Sequence, residues 1–317
     1  MTTSAPLFVS SGDLIADRRY RWAIDHAQRG DLAGAADILS QTVELAPRFA
    51  TAWFALGAIR DVMGDRAAAV AAFAAARDAD PDDYHGARLH LARLGAAEAT
   101  PQMTATYVRR LFDQHAPAFD TTMRERLDYR GPELLLEAVR AQAGASLRPG
   151  APMRFGSMLD LGCGTGLAGE AFRAQVDWLV GVDLSAAMIR QARAKGLYDR
   201  LIDAELGAFL REEGANANQY HLIVAADVFV YVGDLVPIVA DVARVLAPGG
   251  LFAFSVETHE GSGVRLRETL RYAHAVDHLR EALHGAGLMT LKLAPASTRT
   301  EKGAPVAGLI AVAKAPA

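Results

Sequence analysis

Apolar positions divide the chain into two unlike parts. Up to about residue 95, small and apolar residues recur at three- and four-residue intervals in short blocks, the period of packed helices. Beyond residue 150, apolar runs alternate with amphipathic stretches. The runs are Met158–Leu161, Trp178–Val182, Tyr198–Leu206, His221–Phe229 and Leu251–Val256. Between them, helices are predicted over Leu167–Ala174, over Ser185–Arg193 with Ser185 as N-cap, and over Leu235–Leu246, stopped by Pro248-Gly249-Gly250. A last helix, Val276–Ala286, precedes a hairpin pairing Met289–Pro295 with Val306–Val312. Strands alternating with helices and closed by an antiparallel hairpin predict an α/β fold, Rossmann-like, with a mostly parallel seven-stranded sheet.

The first part repeats itself. Pro47 and Pro81, Gly30 and Gly64, Asp31 and Asp65, Ala35 and Ala69, and Leu39 and Phe73 are each 34 residues apart, which is the tetratricopeptide period. The second copy carries Trp53, Leu56, Gly57, Ala69, Phe73, Ala76 and Pro81 of that signature. Each copy reads as a helical hairpin, and Tyr84–Leu94 supplies a closing helix. Such an array offers a face for a protein partner, or serves as a packing or homodimerisation module. The expected domains are residues 1–95, all-α repeats, and 96–317, with 96–150 a helical lead-in and lid and 151–317 the sheet core. The boundary falls at Ala96–Gln102, around Pro101.

Length and composition fit this division. The 317 residues imply two domains, and 51% hydrophobic with 22% charged residues is a globular composition. A net charge of −4 argues against nucleic acid as a partner. The single cysteine excludes an internal disulfide and fits a reducing compartment. No leader-like segment opens the chain and no apolar run reaches bilayer length, so a cytoplasmic protein with no membrane partner is expected.

The candidate chemistry lies between Phe155 and Asp183. An apolar strand ends in Gly162-Cys163-Gly164-Thr165-Gly166, a helix follows, and a second strand ends in Asp183, about 20 residues after the first glycine. Alternating glycines remove Cβ atoms where a ligand can lie on the backbone, and a carboxylate at the second strand end accepts from two ribose hydroxyls. An adenosine-containing ligand is implied. The dinucleotide pattern would place the third glycine one residue later, where Leu167 stands. That disfavours a nicotinamide-dependent oxidoreductase. Cys163 reads as a small residue tolerated in the turn.

With Asp160 two residues ahead of the glycines, the string Asp160-x-Gly162-x-Gly164-x-Gly166 resembles motif I of class I S-adenosylmethionine-dependent methyltransferases. The stretch Tyr107–Leu135, the Arg271-Tyr272-Ala273-His274 stretch and the Arg299-x-Glu301 loop resemble a bacterial group of these enzymes that contain tetratricopeptide repeats. The resemblance implies S-adenosylmethionine as cofactor and S-adenosylhomocysteine as product, with no metal. Asp160 would help hold the donor's amino group, Asp183 with Leu184 beside it the ribose, and Glu205, preferred to Asp203, the adenine. Asp227 resembles the motif IV acid and would stand beside the sulfonium; alternatively it caps the turn that follows. Tyr107 and Phe112 would cap the donor, or form the apolar stripe of a packed helix with Phe119.

A methyltransferase must hold its acceptor near the methyl carbon, and a base is needed only if the acceptor loses a proton. His274 is the candidate base, with Tyr231, Glu257 and Arg271 as orienting groups; the other reading of His274 is a helix-entry histidine bonded to backbone. Arg271 and Arg299 would suit a small, acidic acceptor. The expected function is methyl transfer to such a molecule. The rival is a repeat-containing adaptor whose second domain methylates a bound protein or binds the donor without catalysis.

Overall fold

Residues 8–99, 103–144 and 153–317 are described by the computed structural model. They fall into two units. The first runs to Tyr107 and includes Glu268–Leu270; the second comprises Val108–Arg267 and Arg271–Ala317. Pro101 and Gln102 of the expected boundary, and residues 145–152 where the sheet core was expected to begin, lie outside the described residues.

In the first unit, α1 (Leu14–Gln28), α2 (Leu32–Leu45), α3 (Ala50–Val62) and α4 (Arg66–Ala79) form two hairpins, followed by α5 (Ala87–Arg93). The two copies of the sequence repeat fold alike. Gly30 and Gly64 take positive φ of 85° and 81°, and Asp31 and Asp65 each cap the following helix through the carboxylate. Gly57 lets α3 and α4 approach: a Cβ there would stand 2.8 Å from the Phe73 ring. Tyr20, Leu39 and Phe49 fill the space between small residues such as Ala16, Ala35 and Ala52.

The second unit begins within α6 (Ala105–His115), which is followed by a short turn, α7 (Phe119–Thr121), a π-type turn (Thr122–Arg126) and α8 (Gly131–Gly144). The βα alternation then runs β1 (Phe155–Leu161), α9 (Leu167–Phe172), β2 (Val176–Asp183), α10 (Ala186–Ala194), β3 (Arg200–Asp203), α11 (Leu206–Ala215), β4 (Tyr220–Ala225), α12 (Val236–Val245) and β5 (Leu246–Glu257). After β5 come β6 (Val264–Leu266), β7 (Tyr272–His274), α13 (Val276–Gly285), β8 (Met289–Ala296), the small ribbon β9 (Thr300–Glu301) and β10 (Ala304–Pro305), and β11 (Gly308–Lys314).

The main sheet path is β3-β2-β1-β4-β5-β11-β8, parallel up to β5 and antiparallel at β11 and β8. Neighbouring residues of β1 serve the two faces: Met158 packs with Phe172, Leu135 and Val139, Leu159 with Phe252 and Val242. Order reverses between β1 and β4, so the crevice lies at the carboxyl ends of these strands.

Among the described residues the sheet has nine strands, not the seven expected. β6 and β7 are short and pair with each other, and β7 joins β5 in parallel through Ala273 and Glu257. Three-residue strands give no alternation long enough to recognise. Two other boundaries differ. β4 stops at Ala225, and Phe229–Tyr231 form a 3₁₀ turn whose apolar side chains extend the apolar run. β5 includes Pro248-Gly249-Gly250, with a register irregularity against β4.

Candidate active site

The glycine turn joins β1 to α9. Gly162, Gly164 and Gly166 all have positive φ (77°, 53° and 94°), a conformation that costs other residues energy. Their surroundings separate their roles. A Cβ at Gly162 would stand 2.5 Å from Val228, whereas one at Gly164 would meet no heavy atom within 4 Å. Open backbone at Gly164 is where a ligand can lie. Asp183, at the end of β2, holds this turn: its carboxylate accepts from the Gly164 N–H at 2.9 Å and the Ser185 N–H at 2.8 Å. Burial raises its pKa to about 6, against the lowering effect of those two N–H groups.

Asp160 lies beneath the turn and is almost wholly buried. One carboxylate oxygen accepts from the Tyr198 hydroxyl at 2.6 Å; the other, Oδ1, is buried with no hydrogen-bond partner. Burial raises its pKa to about 7, with Tyr198 lowering it and Asp183 raising it. A buried acceptor without a donor is costly, and beside an open backbone cradle it marks a place for a cationic or N–H-bearing ligand.

At the same rim lies a cluster of three acids and three arginines. Arg299, 4% exposed in its side chain, pairs with Glu257, with Asp227 at 2.8 Å and with Glu301 at 3.1 Å. Burial acts to lower its pKa, but Asp227, Glu257 and Glu301 outweigh this and raise it. Arg267 reaches the second oxygen of Glu257 at 2.9 Å, and Arg271 pairs with Glu301. Asp227 adopts φ +56° and accepts from Ser255 and Thr298 as well as Arg299. Both arginines singled out for an acidic acceptor, Arg271 and Arg299, are therefore already paired with the chain's own carboxylates.

The lead-in helices reach the glycine turn. Asp113 accepts from the Ser185 hydroxyl at 2.6 Å, and Asp120 pairs with Thr165 and, at 2.7 Å, with Lys195. Arg109 donates to the Leu184 carbonyl. The Phe112 ring stands 5.2 Å from that of Tyr231 and 6.2 Å from that of Phe119. Tyr107 belongs to the first unit, its ring against Gly86. Tyr231 is hydrogen-bonded to Arg271, and burial raises its pKa.

Two expected site residues occupy positions that suit other tasks. Glu205 is the N-cap of α11, its carboxylate accepting from Gly207 and Ala208 N–H groups. Asp203 remains exposed at the end of β3. His274 is wholly buried; its Nε2 is 3.1 Å from the Phe229 carbonyl, its ring stacks on His278, and burial lowers its pKa to about 4. A ring so enclosed is poorly placed to take a proton from an acceptor. Sequence reasoning passed over Tyr198 and Tyr129. Arg130, which follows Tyr129, donates its N–H to the Thr298 carbonyl, and Thr298 bonds Asp227.

A switch-point crevice, a glycine turn after the first parallel strand and an acid ending the second form the architecture of the class I methyltransferases. Residues 159–252 match a family model described as a methyltransferase domain. The chain is 30% identical over 198 residues to Methyltransferase-like protein 27 of Homo sapiens, covering 62% of this chain and 73% of that one. It is 31% identical over 107 residues to the ubiquinone biosynthesis O-methyltransferase of Thiobacillus denitrificans, covering 33% of this chain and 46% of that protein. Among solved structures, 1,6-didemethyltoxoflavin-N1-methyltransferase from Burkholderia thailandensis superposes with a TM-score of 0.51 at 18% identity, over 70% of this chain and 93% of that one. The chain belongs to the class I methyltransferase family, whose methyl donor is S-adenosylmethionine. Its crevice fits that donor: open backbone at Gly164 and an unpartnered Asp160 oxygen suit a ligand bearing an ammonium group.

Proposed function

We propose that the protein transfers a methyl group from S-adenosylmethionine to a small, uncharged acceptor held against the aromatic rings of the lead-in. The donor supplies an electrophilic methyl group on a sulfonium. The chain's own residues bind and orient. Gly164 gives the methionine part open backbone, Asp160 accepts from its ammonium, and Asp183 accepts from the ribose hydroxyls while keeping Gly164 in place. Leu184 flanks the ribose. Asp203 replaces Glu205 as the acid for the adenine, because the Glu205 carboxylate is engaged by the helix it caps.

The uncharged acceptor is favoured by the balance of charge. With Arg267, Arg271 and Arg299 paired to Asp227, Glu257 and Glu301, an incoming carboxylate would have to displace an internal partner. Phe112, Phe119 and Tyr231 offer an aromatic wall instead. In this reading Tyr231, Glu257 and Arg271 shape the acceptor side and Asp227 adds negative potential near the sulfonium. His274 supports the rim from within the core. The first unit, by its 34-residue period and matched caps, is a tetratricopeptide array serving partner binding or self-association.

Two observations carry the reading together: the buried, unpartnered Oδ1 of Asp160 at the end of β1 and the open backbone at Gly164, four residues later in the turn. Calorimetric titration with S-adenosylhomocysteine tests it. The wild-type chain should bind, and Gly164→Val, which fills the cradle and at φ 53° also strains the turn, should lose at least about tenfold in affinity together with some stability. Binding unaffected by Gly164→Val would reject the cradle.

A further inference from the structure

Three glycines near the donor turn share a neighbour. A Cβ at Gly166 would stand 3.0 Å from Cε2 of Tyr198, one at Gly169 2.5 Å from its hydroxyl oxygen, and one at Gly181 2.7 Å from its Cε1. Gly166 belongs to the turn, Gly169 to α9 and Gly181 to β2. Each omits a side chain where the Tyr198 ring passes; at Gly169 and Gly181 a Cβ would stand closer than real Cβ atoms do, and at Gly166 closer than most. Glycine within a helix and within a strand costs roughly 0.5–1 kcal/mol each relative to alanine. The chain accepts this cost twice around one aromatic ring.

The hydroxyl at the end of that ring has a defined orientation. The Gly169 N–H faces its oxygen, and its own proton goes to Asp160 Oδ2 at 2.6 Å. Tyr198 is largely buried and approaches Asp160 from the segment between α10 and β3. The other ionisable groups acting on Asp160 or feeling its charge are Asp183, Cys163 and Tyr129. None of these is cationic. The Tyr198 hydroxyl is thus the one recorded side-chain donor to the Asp160 carboxylate among the described residues.

We infer that Tyr198 is a positioning residue of the donor site, acting through Asp160: its hydroxyl fixes one carboxylate oxygen and leaves the other, Oδ1, as the acceptor for the donor's ammonium. The inference deepens the proposed donor site and rests on it. Without the hydroxyl, a carboxylate already disfavoured in its charged form by burial loses the hydrogen bond that favours that form. It then stays protonated to higher pH, and an ammonium meets a neutral acid.

Two measurements on the intact chain test this. The first is S-adenosylhomocysteine binding by calorimetry across pH 5.5–8.5. Wild-type affinity should rise with pH as Asp160 ionises, around its pKa of about 7. Tyr198→Phe keeps the ring over the three glycines and removes one oxygen; its rising limb should move up by about one pH unit, with affinity at pH 7 down about fivefold. In an Asp160→Asn background the same substitution should change affinity by less than about twofold, because the charge that the hydroxyl tunes is gone. The second measurement is a ¹³C carboxyl titration of Asp160 without ligand, expected to shift upward in Tyr198→Phe. An equal loss in both backgrounds, or an unmoved pH limb and carboxyl titration, would overturn the inference. If the wild-type chain fails to bind while the carboxyl titration shifts, the donor site is wrong and the coupling between Tyr198 and Asp160 stands.

Discussion

Replacing Arg299 by methionine removes the cation at the centre of the rim cluster while keeping a side chain of similar length. In the native chain its guanidinium touches Asp227, Glu257 and Glu301, and Glu257 is nearly as buried as the arginine. Arg267 and Arg271 remain, at 2.9 Å and 3.7 Å from Glu257, so Glu257 keeps two partners, but the Arg299 contact with Asp227 is gone. Breaking a buried pair from one side costs about 3–5 kcal/mol, mainly because the stranded charge keeps its desolvation penalty. For a unit of about 200 residues, 1 kcal/mol moves Tm by about 2–4 °C, so a fall on the order of 10 °C is expected. Differential scanning calorimetry at pH 7 measures it. Adding Asp227→Asn should recover part of the loss, since Arg299 is the one cation paired with Asp227 among the described residues and the double variant removes that stranded charge; the two substitutions should therefore be non-additive. A fall below about 2 °C for Arg299→Met, or strict additivity, would show that the cluster is a solvated surface network and that Arg299 is free to bind an acidic acceptor.

Other expectations follow from single residues. Asp183→Ala should weaken S-adenosylhomocysteine binding by on the order of 2 kcal/mol, about thirtyfold, with a loss of stability as the Gly164 and Ser185 N–H groups lose their acceptor; titration calorimetry and urea unfolding read the two effects. Asp160, with a folded pKa of about 7 against 3.8 for the free side chain, holds its proton in the folded state after the unfolded chain has lost it. The ligand-free protein should therefore lose stability as pH rises from about 4 to 7, by a few kcal/mol, and Asp160→Asn should flatten that slope in urea titrations. His274 behaves oppositely: its folded pKa of about 4 lies below 6.5, so its contribution is present above pH 6.5 and lost as pH falls toward 4. His274→Ala should cost roughly 2–4 kcal/mol at pH 7 while leaving donor affinity within about twofold, and a fully stable variant would refute the core assignment.

Features set by neighbouring residues could be read directly from the chain. The glycine turn, the acid ending β2 and the capping Ser185 are local patterns, and the 34-residue period announced the paired helices. Glu205 carries a local signal of its own: an acid directly before an amphipathic helix is an N-cap, and here the cap engages the carboxylate. The Arg299 cluster was hidden because it unites the ends of β4 and β5 with a loop more than forty residues further on. Tyr198 was hidden in the same way, although Gly166, Gly169 and Gly181 were a signal: glycines in a helix and a strand with no turn to make point to a bulky neighbour. His274 drew attention for its chemistry, while its apolar flanks, Ala273 and Ala275, already resembled core.

The single cysteine gives the protein a practical property. Cys163 is 5% exposed within the glycine turn, and burial pushes its thiol pKa well above the ordinary value, so little thiolate is present near neutrality. A maleimide dye should leave it untouched, and a new cysteine at an exposed position such as Glu212→Cys would be labelled alone, with no need to remove the native thiol first. The same enclosure makes Cys163 a reporter of breathing in the turn. Its slow alkylation under native conditions would clock how often the turn opens, and a bound donor would slow that clock.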